Sequence, residues 1–250
     1  MLILAGALLG AIIGSFVGTL ALRWPAGRSV TRGRSACDGC RALIGPARLI
    51  PIVSYGLQRG RAACCGVPID RLHPVAEILA AAIGGLSFAV AVGPAEALAG
   101  AVFGWLLLTL ALLDARHMWL PDRLTGLLAM SGLAAGLAGL SPALVDRLIG
   151  GAAGFLLFAA IRHGYRRVRH REGMGGGDVK LFGAIGLWLG WQALPVVLLG
   201  AAVAGLLWSL VLFARGHSMT AASSLPFGLF LALAAWAGWL ATEAGWLLIA

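Results

Sequence analysis

Long apolar runs dominate the chain and set its predicted architecture. A helix of roughly 20 apolar residues crosses a bilayer, and runs of that kind begin at Met1, near Pro74, near Ala95, after Asp122, after Ser141, after Asp178, near Ala193 and near Ser224. The sixth run, about 179–189, is short and rich in glycine, so a re-entrant or tightly packed helix is the alternative to a full span there. The pattern predicts an all-α membrane protein, a polytopic bundle of about eight transmembrane helices.

The distribution of charge orients these runs. Hydrophobic residues make up 60% of the chain and charged residues 12%, against about a quarter charged in a soluble domain. If the N-terminus lies outside, the predicted cytoplasmic segments are 23–73, 114–123, 162–180 and 215–223. These four segments contain all of the 19 Lys and Arg residues except Arg147. This positive-inside bias explains the net charge of +9 without a nucleic-acid partner. Because the first basic residues follow the first run, we expect that run to be a retained anchor and not a cleaved signal peptide.

One segment interrupts the apolar pattern. Residues 23–73 are rich in arginine, glycine and proline, and they contain all four cysteines. So short a domain rarely holds an apolar core unaided, and a metal or disulfides often stabilise it. We therefore expect a first transmembrane helix at 1–22, a small cytoplasmic Cys-containing domain at 23–73, and a transmembrane domain of about seven helices at 74–250.

Two aspartates stand at the predicted cytoplasmic ends of apolar runs. Asp114 ends the run 105–113, and Asp178 opens the sixth run after a glycine-rich loop. Ionisable groups at membrane depth are costly and indicate function. Taken singly, each aspartate could be a helix cap or an ion-pair partner, and Asp178 after its glycines is a plausible N-cap. Taken together, two carboxylates that share a proton can activate water as a general base and protonate a leaving amine as a general acid.

These regions resemble the type IV prepilin leader peptidases. The stretch 173–180 (GMGGGDVK) looks like that family's G-x-G-D region, and Asp114 with the block 120–122 (LPD) looks like its other aspartate block. The opening motif and the cytoplasmic domain are matched, in the family's order, by Gly14-Ser15-Phe16, Ile50-Pro51, Cys65-Gly66, Pro68-Ile69 and Pro74 with Glu77. Asp122 is a rival to Asp114 as the first acid, although its place after Pro121 is more typical of a helix start.

The resemblance implies an aspartic endopeptidase of the cytoplasmic (inner) membrane, with Asp114 and Asp178 as the catalytic pair at the cytoplasmic face. Such enzymes remove the basic leader of prepilins or pseudopilins, and many also methylate the new N-terminus with S-adenosylmethionine. Gly18 stands where methylating relatives commonly have Asn, and the sequence assigns no methyl-donor contacts. The expected partners are therefore prepilin-type substrates and the lipid bilayer.

Two other classes of function remain open at this point. A proton- or cation-coupled transporter would use the two acids as ion ligands, but such acids are typically placed in the middle of a span. A non-catalytic assembly protein of a secretion system is the second alternative. A leader-cleavage assay separates both from the peptidase.

The cysteines predict a structural zinc site. Cys37 and Cys40 have the C-x₂-C spacing of half such a site, and a reducing cytosol disfavours disulfides. Related family members often carry a second C-x₂-C, and here that place contains Ala62-Ala63-Cys64-Cys65. We predict Cys37, Cys40, Cys64 and Cys65 as ligands, with Cys64 in place of the missing first cysteine. The alternatives are His73 as the fourth ligand and four unliganded thiols.

Overall fold

The described part of the chain is mainly helical and contains no β-strand. The computed structural model describes residues 1–30, 35–171, 173–216 and 225–246. Its α-helices are α1 (Leu2–Arg23), α2 (Val53–Leu57), α3 (Leu72–Val90), α4 (Pro94–His117), α5 (Asp122–Leu137), α6 (Leu144–Arg169), α7 (Gly176–Leu189), α8 (Leu194–Ala214) and α9 (Phe227–Glu243). A short 3₁₀ helix, Pro46–Leu49, lies between α1 and α2. The only β-pairing among these residues is two isolated bridges, Ala36 with Leu43 and Arg61 with Pro68.

Each predicted apolar run corresponds to one of the long helices, α1 and α3 to α9, although the start of the eighth run near Ser224 lies outside the described residues. Within the described ranges, five helices are long and apolar enough to cross a membrane: α1, α3, α4, α6 and α8. This confirms an all-α, multi-pass membrane protein. The helices α5, α7 and α9 are shorter, at 16, 14 and 17 residues, so the count of eight spans stays a prediction.

The chain forms two compact units, Met1–Trp105 and Leu106–Ala250, and α4 continues from one into the other. The domain boundary predicted at residue 73 stays a prediction. In the first unit, α1 packs against α3 through glycines at four-residue intervals: Gly6, Gly10, Gly14 and Gly18. A methyl group on Gly14 would lie 2.5 Å from the Ala76 carbonyl oxygen. Only small residues allow two helix backbones to approach this closely.

In the second unit, the short helix α7 is packed against α5, α6 and α9. Nine of its 14 residues are buried, so α7 is a tightly packed helix, which the sequence left open as the alternative to the predicted full span. On α6, a methyl group at Gly150 would lie 2.6 Å from the Gly186 carbonyl oxygen, and one at Gly154 would lie 2.8 Å from that of Phe182. Phe158 stacks on Phe182 with 4.2 Å between ring centroids.

Arg147, the basic residue that departs from the positive-inside pattern, has a structural place in this unit. Its side chain on α6 is 1% exposed. The guanidinium donates hydrogen bonds to six backbone carbonyls, those of Gly132, Leu140, Ser141, Pro142, Leu187 and Trp188. Two of these belong to the last turn of α7, where carbonyls lack partners inside the helix. Arg147 therefore caps the C-terminal end of α7.

Candidate active site and metal centre

Asp114 lies in the last turn of α4, because the helix continues to His117 instead of ending at the aspartate. Its side chain is buried, and its Oδ2 accepts a hydrogen bond from the backbone N–H of Leu229 at 2.9 Å. The Gly228 N–H also donates to this carboxylate. Leu229 is the third residue of α9, where the backbone N–H groups lack partners inside the helix. Asp114 therefore caps the N-terminus of α9.

Asp178 is the third residue of α7 and is also buried. The N-cap of α7 is Gly175, so the interpretation of Asp178 as the N-cap is wrong. Asp178 instead accepts a hydrogen bond from the Gly175 N–H, the contact that an acidic N3 side chain makes in a capping box. The carboxylates of Asp114 and Asp178 are close enough to repel each other. The structure thus brings the two predicted aspartates together, each at the N-terminus of a helix.

Two glycines and one leucine shape the space around this pair. A methyl group on Gly177 would lie 2.7 Å from Cβ of Leu120. A methyl group on Gly228 would lie 2.9 Å from both Leu120 Cδ1 and Asp114 Oδ2. These distances are shorter than ordinary van der Waals contact, so both positions require glycine for the helix N-termini to approach Leu120.

The contribution of α9 was not predicted from the sequence. The run after Ser224 was predicted only as a final span, and nothing in its composition placed it beside Asp114. The one signal in the sequence is the group Pro226-Phe227-Gly228, because a proline typically marks a helix start and a glycine just inside a helix often has a packing or functional reason.

Asp122, the rival to Asp114, lies on the surface. It is the first residue of α5, as its place after Pro121 predicted. Its side chain is 72% exposed and forms an ion pair with Lys180, at 2.6 Å between Oδ1 and Nζ. An exposed aspartate with a lysine partner is well solvated, whereas Asp114 is buried beside a second carboxylate.

The four cysteines come together in the first unit. Their sulfur atoms all lie within 4.8 Å of one another, with 3.7 Å between Cys37 and Cys65 and 3.3 Å between Cys40 and Cys64. Tetrahedral zinc with bonds of 2.3 Å places its sulfur ligands about 3.8 Å apart. The cluster therefore fits a tetrahedral metal ion with all four thiols, and His73 is not needed to complete the set.

Two matching turns build this cluster. In the first turn, the Cys37 N–H donates to the Ala42 carbonyl and Arg41 has a positive φ of 63°. In the second turn, the Ala62 N–H donates to the Val67 carbonyl and Gly66 has a φ of 71°. Ala62 thus occupies the place that Cys37 has in the first turn.

Cys64 supplies the fourth sulfur atom of the cluster from a different position in the second turn. It corresponds to Gly39 of the first turn, yet its sulfur reaches the cluster. The backbone N–H groups of Cys40 and Gly39 lower the pKa of the Cys37 thiol to about 6. Hydrogen bonding with the thiols of Cys40 and Cys37 raises the pKa of Cys64 to about 12. Metals bind the thiolate form of cysteine, so a metal ion at this cluster would require Cys64 to lose its proton.

Comparisons with known proteins agree with the geometry. The family model described as "Type IV leader peptidase family" matches residues 101–210, which contain both aspartates. The model described as "Bacterial Peptidase A24 N-terminal domain" matches residues 8–91, which contain the cysteine cluster. No solved structure matches the chain.

Curated relatives match most of the chain. A protein of Aeromonas hydrophila is 38% identical over 81% of this chain and 70% of its own length. One of Dickeya chrysanthemi is 37% identical over 92% of this chain and 89% of its own length. One of Burkholderia pseudomallei is 40% identical over 83% of this chain and 67% of its own length. All three are named prepilin leader peptidase/N-methyltransferase. With matches of this identity and coverage, the chain belongs to the type IV leader peptidase family.

Proposed function

We propose that this protein is a membrane aspartic endopeptidase that removes the basic leader from type IV prepilins or pseudopilins, with Asp114 and Asp178 as its catalytic pair. The observation that carries the proposal is the meeting of these two buried carboxylates at the N-termini of α9 and α7. The names of the relatives support the substrate class and a second activity, N-methylation of the new N-terminus. Nothing in the structure or the comparisons favours the transporter alternative.

The chemistry needs one aspartate ionised and the other protonated, as in other carboxylate pairs. The ionised carboxylate takes a proton from a water molecule, whose oxygen then attacks the scissile carbonyl carbon. The protonated carboxyl hydrogen-bonds to the carbonyl oxygen and stabilises the developing negative charge. Collapse of the tetrahedral intermediate breaks the C–N bond, and the leaving amine takes a proton from the pair.

The backbone around the pair supports this role. N–H groups of Gly228, Leu229 and Gly175 hold the two carboxylates in place, and the N-terminal ends of α7 and α9 favour negative charge nearby. The three residues directly before Asp178 are glycines, and the absence of side chains there lets an extended peptide approach the acids closely. These features position the acids before substrate arrives, and prepositioned groups account for much of catalysis.

We place this site at the cytoplasmic face of the inner membrane. Asp114 and Asp178 border the segments 114–123 and 162–180, which contain eight of the 19 Lys and Arg residues. Cytoplasmic loops retain such charges. A substrate whose apolar helix lies in the bilayer and whose basic leader extends into the cytoplasm would present its cleavage site at this level.

The cysteine cluster has a structural role in this proposal. Cys37, Cys40, Cys64 and Cys65 would hold one zinc ion, which supplies folding free energy to the small segment 23–73 and takes no part in peptide cleavage. The segment supports such a role because its two turns are fixed by short hydrogen bonds while its helix α2 contains no buried residue.

A cleavage assay tests the proposed activity. The full chain, reconstituted in vesicles, is mixed with a prepilin-type substrate that has a basic leader and an apolar segment, and mass spectrometry follows the leader. We expect a single cut at the junction between the leader and the apolar segment, and no cut in a matched substrate whose basic residues are replaced by glutamine. An intact substrate after incubation with folded protein would contradict the proposal.

A further inference from the structure

Helix α6 extends past the N-terminus of α7 and covers the loop that precedes it. Phe158 of α6 stacks on Phe182 of α7. Arg162 and Tyr165 follow Phe158 at intervals of four and three residues, a spacing that places all three on one face of a helix. The face that packs on α7 therefore continues through Arg162 and Tyr165, which meet residues 173–176.

Tyr165 holds the beginning of this loop. A methyl group on Gly173 would lie 2.5 Å from Cδ1 and 2.9 Å from Cζ of the Tyr165 ring, well inside the 3.4 Å at which ordinary contact begins. Only glycine lets the loop backbone approach the ring this closely. An aromatic residue near the end of a membrane helix often serves as an interfacial anchor, but that role needs no glycine against the ring.

Arg162 holds the other end of the loop, where α7 begins. A methyl group on Gly176, the first residue of α7, would lie 3.4 Å from Nη1, 3.6 Å from Cζ and 3.8 Å from Nη2 of Arg162. The distances to three atoms of the planar guanidinium are similar, so the Gly176 backbone packs directly against that group. The loop is thus in contact with α6 at both of its ends.

The hydrogen-bond donor for Asp178 lies between these two contacts. The Gly175 N–H donates to the Asp178 carboxylate, and a methyl group on Gly175 would lie 3.1 Å from Asp178 Oδ2. Four of the five residues 173–177 are glycines, and glycine has more conformational freedom than any other residue. A segment of this composition keeps one N–H aimed at one carboxylate only if contacts from outside the segment hold it.

We propose that Tyr165 is a positioning residue for leader cleavage: together with Arg162 it holds residues 173–176 against α6 and so keeps the Gly175 N–H on Asp178. The proposal rests on the peptidase function proposed above. Tyr165 acts through the position of Asp178 and takes no part in breaking the peptide bond. Loss of its ring should therefore lower kcat and leave KM nearly unchanged.

Leader cleavage by the full chain in vesicles, with kcat and KM measured separately, tests this role. Tyr165→Ala removes the ring and should lower kcat about tenfold or more, because a displaced reacting group loses rate steeply, while KM stays within about threefold of wild type. Tyr165→Phe keeps the ring and should restore kcat to within about twofold. Val168→Ala is the matched control, because Val168 also lies on α6 and its side chain is 76% exposed.

Gly173→Ala tests the contact itself. The added methyl group has to move about 0.9 Å away from Tyr165 Cδ1 (3.4 minus 2.5) to reach ordinary contact, and the loop moves with it. We expect kcat to fall about 10- to 100-fold in the wild-type background. In a Tyr165→Ala background the ring is absent, so the same substitution should change kcat less than about threefold. Such non-additivity is the signature of two residues in contact.

Hydrogen exchange measured by mass spectrometry gives a readout that does not depend on activity. Peptides that contain residues 173–178 should exchange faster in Tyr165→Ala than in wild type, Tyr165→Phe or Val168→Ala, because the loop opens more often without the ring. Equal exchange in all four proteins overturns the proposal. So does a Tyr165→Phe variant as slow in cleavage as Tyr165→Ala, or a Gly173→Ala effect that is the same in both backgrounds.

The two readouts separate this proposal from the peptidase function. A wild type that cuts no leader, with faster exchange in Tyr165→Ala, removes the peptidase and leaves the role of Tyr165 in holding the loop. Cleavage by the wild type, with kcat and exchange unchanged in Tyr165→Ala, removes only the positioning role.

Discussion

Gly228 offers a direct test of how the second unit positions its acids. Replacing it with alanine adds one methyl group, which would lie 2.9 Å from Asp114 Oδ2 and 2.9 Å from Leu120 Cδ1. Ordinary contact begins at 3.4 Å, so the carboxylate oxygen has to move by about 0.5 Å (3.4 minus 2.9) or α9 has to move away. Either movement disturbs the hydrogen bond from the Leu229 N–H.

The expected loss of activity follows from these distances. A hydrogen bond to a charged group contributes about 1.5–3 kcal/mol, and displacing a reacting group by about 1 Å can cost a hundredfold in rate. We therefore expect Gly228→Ala to slow leader cleavage about 10- to 100-fold. The substitution stabilises α9 itself, because alanine is favoured over glycine by up to about 1 kcal/mol in a helix. The loss of activity would therefore not come from a less stable helix.

Gly126→Ala is the matched control. Gly126 lies on α5 of the same unit, and a methyl group there would meet nothing within 4 Å. Initial rates of leader cleavage at low substrate concentration, measured with both variants in the same lipid, give the comparison. If Gly228→Ala cleaved within twofold of wild type, the capping of α9 by Asp114 would have no part in catalysis.

Three further predictions concern other parts of the molecule. Arg147→Met should lower the free energy of unfolding by about 3 kcal/mol or more, because six carbonyls lose a buried charged donor, and a thermal shift no larger than that of the surface variant Arg169→Met would contradict the capping role. Elemental analysis should find one zinc per chain in the wild type and clearly less in Cys64→Ser. Unchanged zinc content in that variant would mean that a group other than Cys64 is the fourth ligand. Reporters fused after Leu140 and after His170 should lie outside and in the cytoplasm respectively, and the reverse result would invert the topology.

Much of the fold was accessible from sequence because membrane helices leave a strong signal. Apolar runs located the long helices, and the glycine content of the sixth run raised the tightly packed helix only as an alternative to the predicted span. The apolar runs did not indicate which helices pack against each other. The packing of α1 against α3 and the capping of α7 by Arg147 were therefore seen only in the structure. Both depend on contacts between residues distant in sequence.

The sequence predicted only part of the site, because it again identified individual residues and not the contacts between distant ones. Asp114 and Asp178 stood out because charges are rare in apolar runs, and the cysteines because of their spacing. The sequence did not reveal the contact of Asp114 with the N-terminus of α9 or the hydrogen bond from the Ile52 N–H to Glu77. Both contacts use backbone N–H groups, which are the same in almost every residue. Cys64 was the weakest of the predicted ligands, and only the turn geometry explains how it reaches the cluster.

The central claim is that the aspartate pair cleaves the leader, and the most direct measurement is leader cleavage by Asp114→Asn, Asp178→Asn and Asp122→Asn in reconstituted vesicles. An amide is nearly isosteric with the acid but neither takes up the proton of water nor shares one. The first two variants should lose cleavage to below about a hundredth of the wild-type rate while remaining folded, and Asp122→Asn should keep most of it. Near wild-type cleavage by either of the first two variants, or loss of cleavage in Asp122→Asn alone, would contradict the account.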